Sequence, residues 1–251
     1  MVPELAELLK NSVLCTLEDK VAVAFSGGVD SSLVATIAKQ AAVVELFTAG
    51  MPGASDMEYA ELVAKELQLP LFKYVLDENE VVENYRKCYE ICPNDFLKVE
   101  LLVPIYRIAK EAKARGHTVL LFGSGSEELF IGYERYYTYA QTGSDLDAHL
   151  KNEFRELQKR EIAWLGKLCR HFGLEARFPF YNQKLAAHVF AIPLELRMEE
   201  YELKKGVLRE AAAFLGVPDI AVKRKKKALQ YGSGVHKILL KHKNLPGMNN
   251  F

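Results

Sequence analysis

The sequence predicts an α/β fold, a parallel sheet with flanking helices followed by a C-terminal helical region. Short runs of consecutive apolar residues, 21–25 first among them, have the length and composition of strands buried on both faces. Stretches with helical spacing alternate with those runs, which implies right-handed crossovers and a parallel sheet. From about residue 146 the strand pattern stops and helical spacing continues alone.

Residues 3–15 read as a short amphipathic helix leading into the first strand, 21–25. Ser26, Gly27 and Gly28 break that strand. Helical spacing resumes over 31–39, with Leu33, Val34, Ile37 and Ala38 on one side. The second strand, 43–49, ends in a turn at 50–53. The helix over 55–67 has Ser55 as its N-cap and Glu58 three residues on, a capping box. After Pro70 comes the third strand, 71–76. Asp77 opens a helix to about 92, where Pro93 stops it, and 98–115 forms another, interrupted near Pro104. Gly116 and His117 end that helix before the fourth strand, 118–122. Beyond it, 151–171, 183–190 and 199–215 read as helices divided by Pro179, Pro193 and Pro218. Residues 244–251 read as a frayed end. The whole, 1–251, is expected to be one domain: a nucleotide-binding core over about 18–145, then a helical region and basic lid over about 146–243.

With 251 residues, 49% of them apolar, the chain can bury a sizeable core. Lys+Arg 33 balances Asp+Glu 33, so net charge offers no argument for nucleic acid, although every formal side-chain charge beyond Asp219 is positive. Residues 1–20 lack the apolar core of a signal peptide. No apolar run approaches the roughly 18 residues of a membrane span. Cys15, Cys88, Cys92 and Cys169 form no CxxC pair, and Cys88 and Cys92 read as two buried thiols on one helix. The expectation is a cytoplasmic protein, with no membrane partner.

The stretch from Ser26 to Ser32, Ser-Gly-Gly-Val-Asp-Ser-Ser, directly follows the first strand and opens a helix. Glycines let the backbone approach an anion, the helix N-terminus presents unpaired N–H groups, and serine hydroxyls add donors. This makes a phosphate cradle. It is not a Walker A loop, because no lysine follows the glycines. Asp30 would repel a phosphate unless a divalent cation lay between them, so Asp30 predicts Mg²⁺. In parallel sheets ligands sit beyond the strand C-termini, which puts Ser26, Gly50 and Gly123 along one rim. Gly123 and Gly125, after the fourth strand, allow close backbone approach, and Ser126 is placed to cap a helix carrying Glu127 and Glu128 in its first turn. One of these two glutamates is expected to face Asp30 and complete the Mg²⁺ site, against the plainer reading that both answer the helix dipole. Trp164 and the tyrosines 133, 136, 137 and 139 are expected mainly in packing.

The Ser26–Ser32 loop resembles the pyrophosphate loop of the ATP pyrophosphatases, which implies an adenine nucleotide alpha hydrolase-like fold. Gly123-Ser-Gly-Ser-Glu-Glu-Leu-Phe-Ile-Gly-Tyr133 resembles the Gly-Glu-Gly-Ser-Asp-Glu-x-Phe-Gly-Gly-Tyr segment of the asparagine synthetase family. Met51-Pro-Gly-Ala-Ser-Asp56, Gly173-Leu-Glu-Ala-Arg-Phe-Pro-Phe180 and Arg224-Lys-Lys226 resemble three more of its segments in the same order. The stretch after Lys226 is most similar to asparagine-synthetase-domain-containing proteins.

By that resemblance Ser26, Gly27, Gly28, Ser31 and Ser32 hold pyrophosphate, and Asp30 with Glu127 binds Mg²⁺. Backbone at Phe25, at Thr48 or Ala49, and at Gly123 frames the adenosine of ATP. Lys226, with Lys227 as its competitor, neutralises charge at the α-phosphate, and Glu128 stands as a further catalytic candidate. The implied activity is an AMP- and pyrophosphate-forming carbon–nitrogen ligase acting on a small carboxylate, with aspartate one candidate. Adenylation of a tRNA base and a non-catalytic ATP-binding subunit are the alternatives. Some features depart from the pattern. Ser124 replaces its first Glu, Glu127 replaces Asp, and Tyr181 and Asn182 replace Leu-Asp. Residue 2 is Val, not the Cys of a glutaminase, so nitrogen is expected from free ammonia or a separate glutaminase subunit. A homo-oligomer is among the expectations.

Overall fold

The computed structural model describes residues 1–225 and 228–248. Its centre is a five-stranded sheet in the order β3-β2-β1-β4-β5, every neighbouring pair parallel. Helix α1 (Val2–Leu14) leads into β1 (Lys20–Ala24), and α2 (Val29–Ala38) follows after a short turn. Next come β2 (Val43–Gly50), α3 (Ser55–Leu67) and β3 (Leu71–Val75). The chain continues through α4 (Glu78–Ile91) and α5 (Phe96–Ala114) to β4 (Val119–Leu121). Period-two alternation divides the central strands between two cores. Val21, Val23, Leu46 and Leu121 face α1, α2 and α3, whereas Ala22, Phe47 and Leu120 face α4 and α5.

After β4 lie α6 (Ser126–Phe130), α7 (Glu134–Gln141) and α8 (Leu146–Glu156). A 3-10 turn at Leu157–Lys159 separates α8 from α9 (Glu161–His171), so the single helix expected over 151–171 is two. Helices α10 (Gln183–Ala191), α11 (Leu194–Met198) and α12 (Gly206–Phe214) follow. The last elements are α13 (Asp219–Val222), α14 (Leu229–Gly232) and α15 (Val235–Leu239). Among the described residues no helix is long and apolar enough to cross a membrane.

Several expectations need correction. The region beyond 146 is not wholly helical, because β5 (Glu175–Arg177) pairs with β4 at the sheet edge. Its sequence carries no apolar run because the strand is half-solvated, with Arg177 bound to Glu18 and Glu175. Helix α5 passes through Pro104 unbroken, held by burial of Val103 and Ile105 on the sheet. Ser55 is the first helical residue, not the cap. Ala54 is the N-cap without a side-chain bond, and the Ser55 hydroxyl instead donates to the Gly232 carbonyl at 3.5 Å. Ser126 likewise begins α6 behind the N-cap Gly125, its hydroxyl serving an ionic cluster. The helix expected over 199–215 starts only at Gly206, since Lys204 and Lys205 both sit in left-handed backbone with φ 58°. Cys88 and Cys92 are buried free thiols, as read.

Candidate nucleotide site

The turn between β1 and α2 is built by its own serines. The Ser31 hydroxyl donates to the Gly28 carbonyl at 3.3 Å, while the Ser26 amide donates to Ser31 Oγ and the Gly28 amide to Ser26 Oγ, each at 3.3 Å. The turn is thereby held open beneath the N-terminus of α2, where first-turn N–H groups point at the rim. Ser26, Gly28 and Ser31 line cavities there, and Gly27 and Ser32 line neither. Gly27 has φ +70°, and a Cβ on it would stand 2.5 Å from the Tyr59 backbone, so its bareness lets α3 approach. The Ser32 hydroxyl is fully buried, without a hydrogen-bond partner among the described residues. The Phe25 amide is committed to the Phe47 carbonyl at 2.8 Å. Thr48 and Ala49 line the cavity wall at the end of β2.

Across the rim, Gly123 packs so closely that a Cβ would lie 2.9 Å from Asp30 Cβ. Asp30 and Glu127 both reach one group that the sequence reading did not include, Lys205. Lys205 Nζ, on a residue only 2% exposed, donates to both Asp30 carboxylate oxygens at 2.8 Å, and to Ser126 Oγ and Glu127 Oε1 at 2.9 Å each. Sequence reading missed Lys205 because it lay inside a predicted helix; Gly206, a poor helix-interior residue, was the available signal. Arg209 holds the left-handed turn from below, donating to the Leu203 and Lys204 carbonyls at 2.7 Å each. Among the described residues no group of three or more His, Cys, Asp or Glu side chains could hold a metal ion, but two hard carboxylates suit Mg²⁺, which takes one or two carboxylates plus phosphate oxygens and water.

Two cavities open at this rim. A larger one of about 220 Å³ runs from Phe25, Thr48 and Gly123 to Ser124, Glu161 and Trp164. The smaller, about 60 Å³, is bounded by Gly28 and Asp30 and by Lys205, Arg209, Arg224 and Lys225. Arg224 joins loop to loop, donating to the Ser26 carbonyl and pairing with Asp56 at 2.5 Å. Glu128 lines neither cavity. It is buried, and burial together with neighbouring Glu127 and Glu161 pushes its pKa up to about 8. Trp164 and Tyr133 line the larger cavity, whereas Tyr136 and Tyr137 pack in the interior. Lys226 and Lys227 lie outside the described residues.

A parallel sheet whose first strand turns through Ser-Gly-Gly into a helix N-terminus, with paired carboxylates across the rim, defines an adenine nucleotide alpha hydrolase-like fold. NMN synthetase from Francisella tularensis shares that fold, with TM-score 0.50, 12% identity, and coverage of 92% of this chain and 75% of that one. The chain belongs to the asparagine synthase family, whose profile matches residues 4–171 and 144–245. A protein of Methanocaldococcus jannaschii described as a candidate glutamine-hydrolyzing asparagine synthetase is 32% identical over 93% of this chain and 50% of its own length. Asparagine synthetase B of Escherichia coli K12 is 27% identical over 92% of this chain and 45% of its own. The chain thus spans about half the length of these relatives.

Proposed function

We propose that this chain is an ATP-dependent amide ligase that forms AMP and pyrophosphate. A substrate carboxylate attacks the α-phosphorus of ATP and pyrophosphate leaves, giving an acyl-adenylate. Ammonia or an amine then attacks the acyl carbon, and AMP departs with the amide complete. The observation that carries this reading is the pair of cavities that share Ser26, Asp30 and Asp56 at the rim, the smaller of them lined by Lys205, Arg209, Arg224 and Lys225 beside the α2 N-terminus.

Ser26, Gly28, Ser31 and the α2 N-terminus bind the phosphates. Lys205, Arg209, Arg224 and Lys225 ring the smaller cavity, where they neutralise charge on departing pyrophosphate. Asp30 and Glu127 would hold Mg²⁺, which supplies charge neutralisation at the phosphates. Thr48, Ala49 and Gly123 frame adenosine, and Lys226, or Lys227 beside it, stabilises the transferring α-phosphate. Aspartate is a candidate substrate, with ammonia or a separate glutaminase supplying nitrogen.

The test is release of AMP and pyrophosphate in the presence of ammonia and a panel of amino acids, aspartate included. Product with one carboxylate supports the ligase, and none with any would overturn it. The basic run over 223–227 favours a second reading, adenylation of a tRNA base, so the screen is repeated with tRNA. Asp30→Ala is expected to abolish Mg²⁺-dependent turnover, and unchanged turnover would remove Asp30 from the metal site.

A further inference from the structure

The larger cavity takes Leu101, Leu102 and Ile105 from α5, and Ala228 and Leu229 from the start of α14. Those two elements are joined by a side-chain pair that lines neither cavity. Glu100 of α5 is wholly buried, and its Oε2 lies 2.7 Å from Nδ1 of His236 on α15. Its other oxygen, Oε1, has no hydrogen-bond partner among the described residues. The imidazole also meets Tyr231 of α14 edge-on, with ring centroids 4.8 Å apart, and Phe96 of α5 at 6.3 Å. His236 thus bridges α5 to both α14 and α15. A Cβ on Gly232 would stand within 2.3 Å of the Asp56 carboxylate, so α14 lies directly against the start of α3.

A carboxylate buried to this degree is a poor source of stability. Desolvation opposes its charge, and burial pushes the Glu100 pKa up against the lowering pull of His236. Replacing such a pair by apolar groups of similar volume is commonly neutral or stabilising, whereas a directional bond fixes position. An apolar contact would let α15 slide on α5, but a single imidazole–carboxylate bond admits one register. We propose that Glu100 and His236 are positioning residues for the nucleotide, setting α14 against α5 so that Ala228 and Leu229 complete the cavity wall. The inference rests on the proposed nucleotide site and goes beyond it, since neither residue lines either cavity.

ATP·Mg²⁺ affinity is measured by calorimetry, well below the melting temperature, on the wild-type chain, on Glu100→Gln and on the double variant Glu100→Leu/His236→Phe. The double variant should melt at or above the wild-type temperature yet bind ATP about tenfold more weakly. Glu100→Gln keeps an acceptor oxygen for the imidazole and is expected to bind within about twofold of wild type. Wild-type affinity in the double variant, or equal weakening in both variants, would overturn the proposal. If the double variant fails to fold, amide exchange on the wild-type chain decides. Nucleotide binding and helix docking favour each other reciprocally, so ATP·Mg²⁺ should slow exchange over 235–239, which line neither cavity. Unchanged exchange there would also overturn the proposal. No ATP binding by the wild-type chain removes the ligase reading together with this one, whereas ATP binding that the double variant leaves intact removes the positioning pair alone.

Discussion

Lys205 occupies a position that electrostatics would otherwise forbid to two carboxylates. Asp30 and Glu127 converge within one ammonium's reach in a largely buried site, and without a cation their repulsion and desolvation would oppose the fold. Lys205→Met keeps the side-chain length and removes the charge. The expected loss is about 3–5 kcal/mol of stability in chelator, partly restored by Mg²⁺, as read by thermal melting. Melting unaffected by either change would remove the charge-balancing role. Glu128 poses a related problem without a cation. The unfolded chain releases its proton near the ordinary value of 4.5, while the fold retains it up to about 8. The unfolded state therefore binds fewer protons across that window, and stability falls as pH rises through it. Glu128→Gln should be the more stable protein near pH 8, by on the order of 3 kcal/mol, and nearly equal to wild type below about pH 4.5. Urea midpoints across that range check the slope, and parallel curves would refute it.

At the scale of elements, the nucleotide loop depends on α3 as much as on α2. Gly27, in left-handed backbone, lets the turn lie directly on the Tyr59–Ala60 peptide. Gly27→Ala places a methyl group 2.5 Å from that backbone and adds the left-handed penalty of about 1–2 kcal/mol. The variant should lose both stability and ATP affinity by calorimetry; retention of both would mean that the loop tolerates displacement from α3. Helix starts differ in what their sequences disclose. Asp77 caps α4 in a capping box with Glu80, a signal complete within four residues. Ser55 and Ser126 have suitable side chains at suitable positions, yet their hydroxyls bond to distant parts of the chain, Gly232 and Lys205.

Across the whole molecule, described residues beyond α13 meet the rim at 224–225 and pack on the face formed by α4 and α5 over 228–248. Arg224 binds Asp56 and Ser26, the Met51 amide donates to the Ser233 carbonyl at 2.8 Å, His236 meets Glu100 at 2.7 Å, and Tyr85 donates to the Pro246 carbonyl at 2.7 Å. Arg224→Met removes the guanidinium that joins Asp56 to the Ser26 carbonyl, at an expected cost on the order of 2 kcal/mol in thermal melting. Amide exchange should accelerate across 228–233 and in the nucleotide loop before it does in the sheet. Acceleration confined to residues next to the substitution would mean that these contacts do not brace the loop.

The sequence by itself determined the alternation of strands and helices, the order of the first four strands along the chain, and the loop joining β1 to α2. Each is written in residues that are neighbours in sequence: apolar runs for strands, Ser-Gly-Gly for the turn, and Asp30 one residue into α2. Only the tertiary structure decided that Glu175–Arg177 is a strand, that Lys205 lies between Asp30 and Glu127, and that Glu161 meets Ser124. Those features arise from groups distant in sequence, and no local spacing encodes them. A charged edge strand exists because β4 offers it a partner, and a lysine adopts left-handed backbone because two carboxylates and Arg209 hold it there.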